Sequence, residues 1–384
     1  MIKGLALSAI ASSVVMAGGY KIPEQSLNSM ALGAAYVAHT TGADTAYYNP
    51  ANMVFIDEGK SYVEGGITLA HLPSNVFSSA PEYSGESEVE NILIPYFHYI
   101  APAMGNFRWG VSLTVPGGLT KRWETPFQKA FAEEFTLKVV EFNPSLSYRI
   151  RDDFSIGGGL RLVYSEGVIK NDSAVATTDM EGDTVGLGYN LAMTYKPTSE
   201  MNFAVTYRSS IDLDEEGTAT LYSGDTLLYD GDASVSVPLP AALNVAISKT
   251  WQDTFTLELL YERTYWSQYE TLKFEGVPLP EAPKNWKDTD TFRVGATIKM
   301  DNKITAMMGF AIDETPVPEN TIGFELPDSD AKIFSMGFRY QQREDLSWGA
   351  AFLYDSKESR TINGFGTFHE GGAFLTTIGI AYEY

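Results

Sequence analysis

The chain has 384 residues, of which 44% are hydrophobic and 20% charged, so its composition is too apolar for a disordered protein. Its 27 Lys and Arg residues against 49 Asp and Glu residues give a formal net charge of −22, which nearly excludes binding to the phosphates of nucleic acids. The absence of cysteine removes disulfides, thiol nucleophiles, Cys-ligated zinc and iron–sulfur clusters, and the sequence predicts no cofactor.

Residues 1–17 have the three-part pattern of a secretory signal peptide. Lys3 gives a positive region, an apolar stretch follows, and Ala17 stands before the expected cleavage site. The alternative, a first buried helix, is disfavoured because Gly18 and Gly19 follow at once. No later segment has the roughly 18 unbroken apolar residues that a membrane-spanning helix needs. We therefore expect an exported protein that lacks spanning helices.

Apolar residues alternate with polar or small residues along most of the chain. Phe334 and Met336, for example, alternate with Ser335 and Gly337, and a strand places these two sets on opposite faces. A soluble sandwich hides its apolar face inside, whereas a transmembrane barrel turns that face toward lipid. Aromatic residues at the strand ends, long segments and an alternating strand that finishes on Tyr384 favour the barrel.

The pattern predicts an all-β fold, a fourteen-stranded antiparallel transmembrane β-barrel formed by residues 59–384. Residues 18–58 lack alternation, are too apolar for a tail in water, and are expected to plug the lumen as an N-terminal hatch. Long loops, expected outside the cell, are predicted near 73–90, 117–135, 172–181, 217–231, 276–286, 316–328 and 364–369. Strands are predicted near 59–72, 91–101, 106–116, 136–150, 153–171, 182–196, 200–216, 232–249, 252–275, 287–300, 302–315, 329–342, 344–363 and 370–384.

An ordered series of motifs spans nearly the whole mature chain. It includes Gly18-Gly19-Tyr20, Leu32-Gly33-Ala34-Ala35-Tyr36, Tyr48-Asn49-Pro50-Ala51, Trp266-Ser267-Gln268-Tyr269 and Asp313-Glu314-Thr315-Pro316-Val317-Pro318. This series resembles the FadL-type long-chain fatty-acid transporters of bacterial outer membranes, a family of fourteen-stranded barrels with a hatch. The resemblance implies passive uptake of hydrophobic compounds, most of all long-chain fatty acids, by lumen binding, hatch movement and lateral release through a gap in the wall.

Two segments match the moving parts that the resemblance implies. Asn49-Pro50-Ala51 would be the hinge or gate of the hatch; the alternative is a tight turn that only anchors the plug. Val115-Pro116-Gly117-Gly118 would form the kink at the lateral opening, because proline has no N–H for a ladder and glycine weakens a strand. The alternative is an ordinary turn from strand to loop.

Substrate binding is predicted at two places. An aromatic residue recurs at every fourth position in Trp123, Phe127, Phe131 and Phe135, which would form an apolar stripe on a helix. This stripe would be a landing groove for the substrate; the alternative is that it packs the helix onto the barrel rim. Tyr20, at the start of the hatch, is a further substrate-binding candidate.

The carboxylate site of the family is not reproduced. The positions aligned with its two basic residues hold Asn171 and Ala282, while Lys170 and Lys284 lie next to them and are candidate substitutes. A shift of one residue reverses the face of a strand, which counts against Lys170. Uncharged hydrocarbons or aromatic compounds therefore stay open as substrates beside fatty acids.

Other classes are weighed against transport. A general diffusion porin is an alternative that composition does not exclude, although the plug favours a transporter. A hydrolase needs a Ser–His pair, and Ser112 near His98 is the only candidate; neighbouring strands do not make a triad, so no catalytic residue is predicted. No metal site is predicted. The acidic outer loops are expected to face lipopolysaccharide in the outer membrane.

Overall fold

The fold is seen in a computed structural model that describes residues 18–384. The predicted signal peptide at residues 1–17 lies outside the described residues. A closed barrel of 14 antiparallel strands surrounds the hatch, as predicted. Its strands are β1 (Tyr62–Leu72), β2 (Glu90–Ile100), β3 (Phe107–Arg122), β4 (Glu134–Arg151), β5 (Phe154–Asp172), β6 (Thr177–Thr198), β7 (Met201–Arg208 and Ile211–Ser223), β8 (Thr226–Leu239 and Ala241–Trp251), β9 (Phe255–Tyr265), β10 (Thr289–Lys299), β11 (Ile304–Asp313), β12 (Ala331–Arg343), β13 (Leu346–Lys357) and β14 (Gly372–Glu383).

The first and last strands close the barrel. β1 pairs with β14 from Tyr62↔Glu383 to His71↔Phe374, and each other strand pairs with its neighbours in the chain. Closure matters because an open edge in lipid would leave N–H and C=O groups without partners, at several kcal/mol each.

The apolar face of the wall points outward. Phe334 and Met336 on β12 are 51% and 64% exposed, whereas Ser335 between them is 7% exposed and faces the lumen. The same alternation holds on β14, where Ile378 is 62% exposed and Thr377 is fully buried. An exposed apolar band of this kind is stable in lipid, so the wall is built to span the outer membrane.

The strand ends differ from the prediction in several regions. β3 runs to Arg122, inside the predicted loop 117–135, and β6 begins at Thr177, inside the predicted loop 172–181. The predicted loop 217–231 is wrong, because β7 and β8 continue as a hairpin to a turn at Gly224. β9 ends at Tyr265 rather than near 275, and a 3₁₀ turn follows. The β7–β8 hairpin rises beyond the lipid and carries the polar residues Asp212, Asp214 and Glu216 on its outer face, so the apolar alternation stops before these strands do.

Short turns gather at one end of the barrel with the last strand's terminus, and long connections gather at the other. The links β4–β5 and β12–β13 are tight turns, while β9–β10 and β11–β12 carry long loops. Short turns mark the periplasmic end of bacterial barrels. Within the described part of the chain, no helix is long and apolar enough to cross a bilayer.

The hatch segment is packed inside the barrel. It contains helix α1 (Leu27–Ala31), helix α2 (Thr45–Tyr48) and a 3₁₀ helix at Pro50–Phe55. Two parts of the wall hold it: the Ser335 hydroxyl of β12 donates to the Ala31 carbonyl at 2.9 Å, and the Glu258 carboxylate of β9 accepts backbone N–H groups of residues 37–39. The buried carboxylate is thus satisfied by the hatch backbone itself.

The outer loops carry the remaining elements. Helix α3 (Pro126–Ala132) and 3₁₀ helices at Pro81–Tyr83 and Glu319–Thr321 lie there. Short strands at Val76–Ser78 and Gly366–His369 pair with each other and join loops from the first and last hairpins.

Candidate functional site

The Asn49-Pro50-Ala51 turn ties the hatch to the wall. The Asn49 amide donates to the Val37 carbonyl at 2.8 Å and to the Thr194 hydroxyl of β6 at 2.9 Å. The side-chain carbonyl oxygen of Asn49 accepts a hydrogen bond from the Ala51 N–H at 3.1 Å and so caps the 3₁₀ helix. Asn49 is fully buried, so these bonds form away from water.

A glycine on β5 allows this turn to touch the wall backbone. A Cβ on Gly157 would lie 2.6 Å from the Ala51 nitrogen and 2.8 Å from the Pro50 carbonyl carbon. The hydroxyls of Ser155 and Ser147 then reach the Ala51 carbonyl at 2.7 and 3.2 Å. Close packing and directed hydrogen bonds hold the turn at one place on β4 and β5.

β3 is irregular at the predicted kink. Its register with β4 shifts between Thr114 and Gly117, so one extra residue bulges out of the ladder. The hatch takes up the freed backbone groups: the Gln25 side chain binds both N–H and C=O of Val115, and the Ile22 N–H donates to the Pro116 carbonyl at 2.9 Å.

A gap in the wall begins next to this bulge. β2 and β3 are paired only from Phe97↔Leu113 to Ile100↔Gly110. Toward the outer loops, no backbone ladder joins residues 91–96 of β2 to β3. Beyond this stretch, the Arg122 guanidinium of β3 binds the Glu90 carboxylate of β2, with N–O distances of 2.7 and 2.8 Å. We name the unpaired stretch, residues 91–96 of β2 and 114–121 of β3, the β2–β3 gap.

An apolar cavity, here called the lumen pocket, lies between the hatch and the outer loops. The Tyr20 ring packs edge-on against Trp266, with 4.8 Å between ring centroids, and in a tilted arrangement against Trp286 at 5.6 Å. The main lining residues are Tyr20, Leu119, Phe135, Leu137, Tyr269, Trp286, Val317 and Leu326.

One ion pair lies in the lumen pocket. The Lys284 ammonium binds the Glu325 carboxylate, and the two side chains are 10% and 21% exposed. Burial lowers the pKa of Lys284, but the nearby Glu325 carboxylate outweighs burial and raises that pKa above its ordinary value. Burial raises the pKa of Glu325, but the nearby Lys284 ammonium outweighs burial and lowers that pKa below its ordinary value. Both groups are therefore charged at neutral pH and neutralise each other.

An aromatic cluster closes the outer loops over the pocket. Phe324 lies at its centre, with ring centroids 5.0 Å from Phe77 and 5.3 Å from Trp123. The Trp123 indole N–H also donates to the Phe324 carbonyl at 2.8 Å. The loop cluster consists of Phe77, Trp123, Phe127, Phe324 and Phe368.

Replacing Phe324 with Ala is expected to weaken the loop cluster by about 3 kcal/mol, since a buried aromatic side chain leaves a cavity. We expect chymotrypsin to cleave the outer loops faster in this variant. Phe365→Ala is the control, because Phe365 contacts the same ring but is 39% exposed. Equal cleavage rates for the two variants would contradict a central role for Phe324.

The Ser112–His98 pair that sequence singled out does form. His98 Nδ1 lies 2.9 Å from the Ser112 hydroxyl, and Nε2 lies 2.8 Å from the Gln25 carbonyl oxygen. A carbonyl only accepts, so Nε2 carries the proton and Nδ1 accepts from Ser112. Both residues are fully buried against the hatch, and the pair holds Gln25 in place beside the β3 bulge.

Comparison with known proteins assigns the family. A family profile described as outer membrane protein transport protein (OMPP1/FadL/TodX) matches residues 8–377. The chain belongs to this family. Members are outer-membrane transport proteins, which agrees with the lipid-facing barrel.

Relatives of the OMPP1/FadL/TodX family align along almost the full chain. The Long-chain fatty acid transport protein of Escherichia coli K12 is 25% identical, over 92% of this chain and 91% of its own. The 47 kDa outer membrane protein of Pasteurella multocida is 24% identical, over 99% and 96%. Among solved structures, a Pseudomonas aeruginosa FadL homologue has a TM-score of 0.81 at 19% identity, covering 96% of this chain and 99% of that one. The Pseudomonas putida toluene transporter TodX has a TM-score of 0.77 at 17% identity, over 95% and 98%.

In this OMPP1/FadL/TodX protein three predicted substrate-binding residues meet in the lumen pocket: Tyr20, Phe135 and Lys284. Lys170 does not. It lies on the outer face of β5 and pairs with Asp179 at 3.2 Å, while its neighbour Ile169 faces the lumen. The physical reason is strand parity, which sends Lys170 away from the pocket.

The predicted helical stripe is wrong as a single surface. α3 covers only Pro126–Ala132, so Phe127 and Phe131 lie on it, whereas Trp123 follows β3 and Phe135 belongs to β4. Phe131 is 56% exposed and Trp123 is 1% exposed. The spacing of four residues was therefore a coincidence of two strand ends and a short helix.

Several contact residues in this family member carried no signal that the sequence analysis used. Gln25 and Gly157 matter because the hatch meets the wall, and Trp286 and Glu325 come from different loops. The run Gly157-Gly158-Gly159 within a strand was the one available hint, because such glycines often mark the close approach of another backbone.

Proposed function

We propose that this outer-membrane protein takes up hydrophobic compounds passively, most of all long-chain fatty acids. The compound binds in the lumen pocket, the hatch shifts, and the compound leaves sideways through the β2–β3 gap. Burial of an acyl chain favours binding by about 0.8 kcal/mol per CH₂, and a lateral exit spares the chain from crossing water. Acidic outer loops face the lipopolysaccharide that slows direct permeation of such compounds.

The observation that carries this proposal is that pocket and gap share one strand. Leu119 of β3 lines the lumen pocket, and its neighbour Gly118 donates its N–H to the Tyr20 carbonyl of the hatch at 2.8 Å. The bulge at Pro116 lies just before these residues on the same strand. A shift of the hatch at Tyr20 therefore acts on the pocket and on the gap together.

The function is tested by saturable binding of palmitate to the purified protein, followed as quenching of tryptophan fluorescence. Trp286 in the pocket and Trp266 against Tyr20 supply the signal. A general diffusion porin would instead show steady conductance in a planar bilayer and no binding. The hatch that fills the lumen supports the first outcome.

A second candidate, uptake of uncharged hydrocarbons or aromatic compounds, is favoured by the Lys284–Glu325 pair. The pair leaves the pocket without net charge, and its aromatic walls suit a neutral ligand. Solved structures of similar fold include toluene transporters from Pseudomonas putida and Ralstonia pickettii.

Replacing Glu325 with Gln tests whether the ion pair withholds the Lys284 ammonium from a fatty-acid carboxylate. The freed Lys284 ammonium can then bind a carboxylate, and a charged hydrogen bond is worth about 1.5–3 kcal/mol, so palmitate affinity should rise about tenfold or more. Affinity for hexadecane should stay the same, because it has no charge to bind. Lys284→Met is the matched control, and a rise in palmitate affinity in that variant would contradict the role of the ammonium.

A further inference from the structure

A second interruption of the wall lies between β6 and β7. Residues 190–198 of β6 pair with 201–208 of β7, and pairing resumes only between 177–183 and 216–222. In between, Ser209 alone bridges the strands, through bonds of 2.9 Å to the N–H and C=O of Tyr189. We name residues 184–189 and 209–215 the β6–β7 slot.

The slot arises from a bend in the β7–β8 hairpin. β7 breaks at Ser209 and Ser210, and β8 breaks opposite them at Pro240, which has no N–H to offer a ladder. The break is supported from inside: Arg161, held by the Glu141 carboxylate at 2.8 Å, donates to the Ser209 carbonyl. The bend is thus a built feature of the wall.

The Ile211 side chain packs against both glycines on the β6 edge of the slot. A Cβ on Gly186 would lie 2.3 Å from Ile211 Cγ2, and one on Gly188 would lie 2.8 Å from Ile211 Cδ1. Ile211 therefore occupies the space that any larger residue on β6 would need. It is 4% exposed, and Leu213 next to it is fully buried.

The β6 edge of the slot is apolar on its outer face, whereas the β7 edge alternates the apolar residues Ile211 and Leu213 with the acidic residues Asp212, Asp214 and Glu215. On the outer face, Val185 and Leu187 are 67% and 72% exposed to lipid. On the inner face, Ile211 belongs to the same packed cluster as Tyr20 of the lumen pocket. Its cross-strand partner Leu239 has a methyl group 3.0 Å from a Cβ placed on Gly117 at the β3 bulge. Ile211 and Leu239 thus connect the slot with the β3 bulge at the β2–β3 gap.

We propose that the β6–β7 slot is a second lateral passage for hydrophobic compounds, with the Ile211 side chain as its gate. This inference rests on the proposed function. Where the wall strands are continuously paired, opening a path would break ladder hydrogen bonds, whereas in the slot a change of rotamer and a small strand shift suffice.

A cysteine pair can close this passage reversibly. The chain has no cysteine of its own, and the 2.3 Å approach of Ile211 Cγ2 to a Cβ at Gly186 brings two thiols within bonding reach. We expect Gly186→Cys/Ile211→Cys cells to take up radiolabelled palmitate about 1.3-fold more slowly when oxidised than after reduction, because the β2–β3 gap carries most of the flux. The reduced form of the same variant controls for folding and insertion.

Truncation should have the opposite effect. Ile211→Ala is expected to speed initial palmitate uptake about twofold, whereas Ile333→Ala should not. Ile333 is a matched inward isoleucine, 2% exposed, on β12, whose ladders with β11 and β13 run past it without a break.

The outcomes separate the two proposals. Suppose that cells with the wild-type protein show saturable uptake, and that the cysteine pair gives equal uptake when oxidised and when reduced. This result would overturn the second passage and leave the proposed function standing. No saturable uptake by the wild type would overturn the proposed function, and the passage with it. Photoactivated diazirine palmitate should also label Ile211 or Leu213; labels confined to the lumen pocket and the β2–β3 gap would count against the slot.

Discussion

Deletion of Pro116 is expected to abolish most palmitate uptake while leaving palmitate binding intact. The pairs Thr114↔Glu141 and Gly117↔Val139 differ in register by one residue, so removing one residue lets β3 pair continuously with β4. A straight β3 can then ladder with residues 91–96 of β2. Roughly three new hydrogen bonds at about 1 kcal/mol each would lower the open population about a hundredfold.

The deletion has a matched control in Pro116→Ala, which restores an N–H but keeps the extra residue of the bulge. This variant should retain most of the uptake. Binding to purified protein should persist in both, because Leu119 and Tyr20 stay in the lumen pocket. A deletion variant that is inserted in the outer membrane and still takes up palmitate at the wild-type rate would remove the β2–β3 gap from the pathway.

Much of the barrel was predictable because one physical rule decides it. A wall in lipid needs an apolar outer face on every strand, so period-two alternation shows in residues such as Phe334 and Met336 without knowledge of their neighbours. The bulge was predictable for a similar reason, since Pro116 and Gly117 are strand breakers by their own chemistry.

The candidate site was less predictable because it depends on contacts between distant segments. Trp286 and Glu325 reach the lumen pocket from separate loops, and Gln25 acts on β3 from the hatch. Lys170 shows the limit of motif transfer, because its placement depended on strand parity at a single residue. The β6–β7 slot was also hidden, since Ser209 and Ser210 are not strong strand breakers.

The glycines of β5 and β6 show what a sequence alone leaves undecided. Gly157 and Gly186 both interrupt an alternating strand, and both look like ordinary small lumen residues. In the structure, Gly157 admits the backbone of the hatch and Gly186 admits the Ile211 side chain. Glycine in a strand therefore indicates where a close approach can occur, but not the group that approaches.

Replacing Asn49 with Ala is expected to release the hatch from the wall. The change removes three buried hydrogen bonds, to Val37, Thr194 and Ala51, at about 1 kcal/mol each. A loss of about 3 kcal/mol would raise the detached population about a hundredfold. Hydrogen exchange of residues 37–55 should become faster, and brief channel openings should appear in planar bilayers.

Two variants give this prediction its specificity. Asn202→Ala removes a buried asparagine whose amide binds Ser248, from wall to wall, so it should leave hatch exchange unchanged. Gly157→Val keeps every bond of Asn49 but forces a side chain into the Ala51 backbone, so it should release the hatch as Asn49→Ala does. Two independent changes that loosen the same segment would show that the turn holds the plug in place. If hydrogen exchange in both variants matched that of the Asn202→Ala protein, the other hatch contacts would be sufficient to hold the plug. Asn49-Pro50-Ala51 would then be only a local turn.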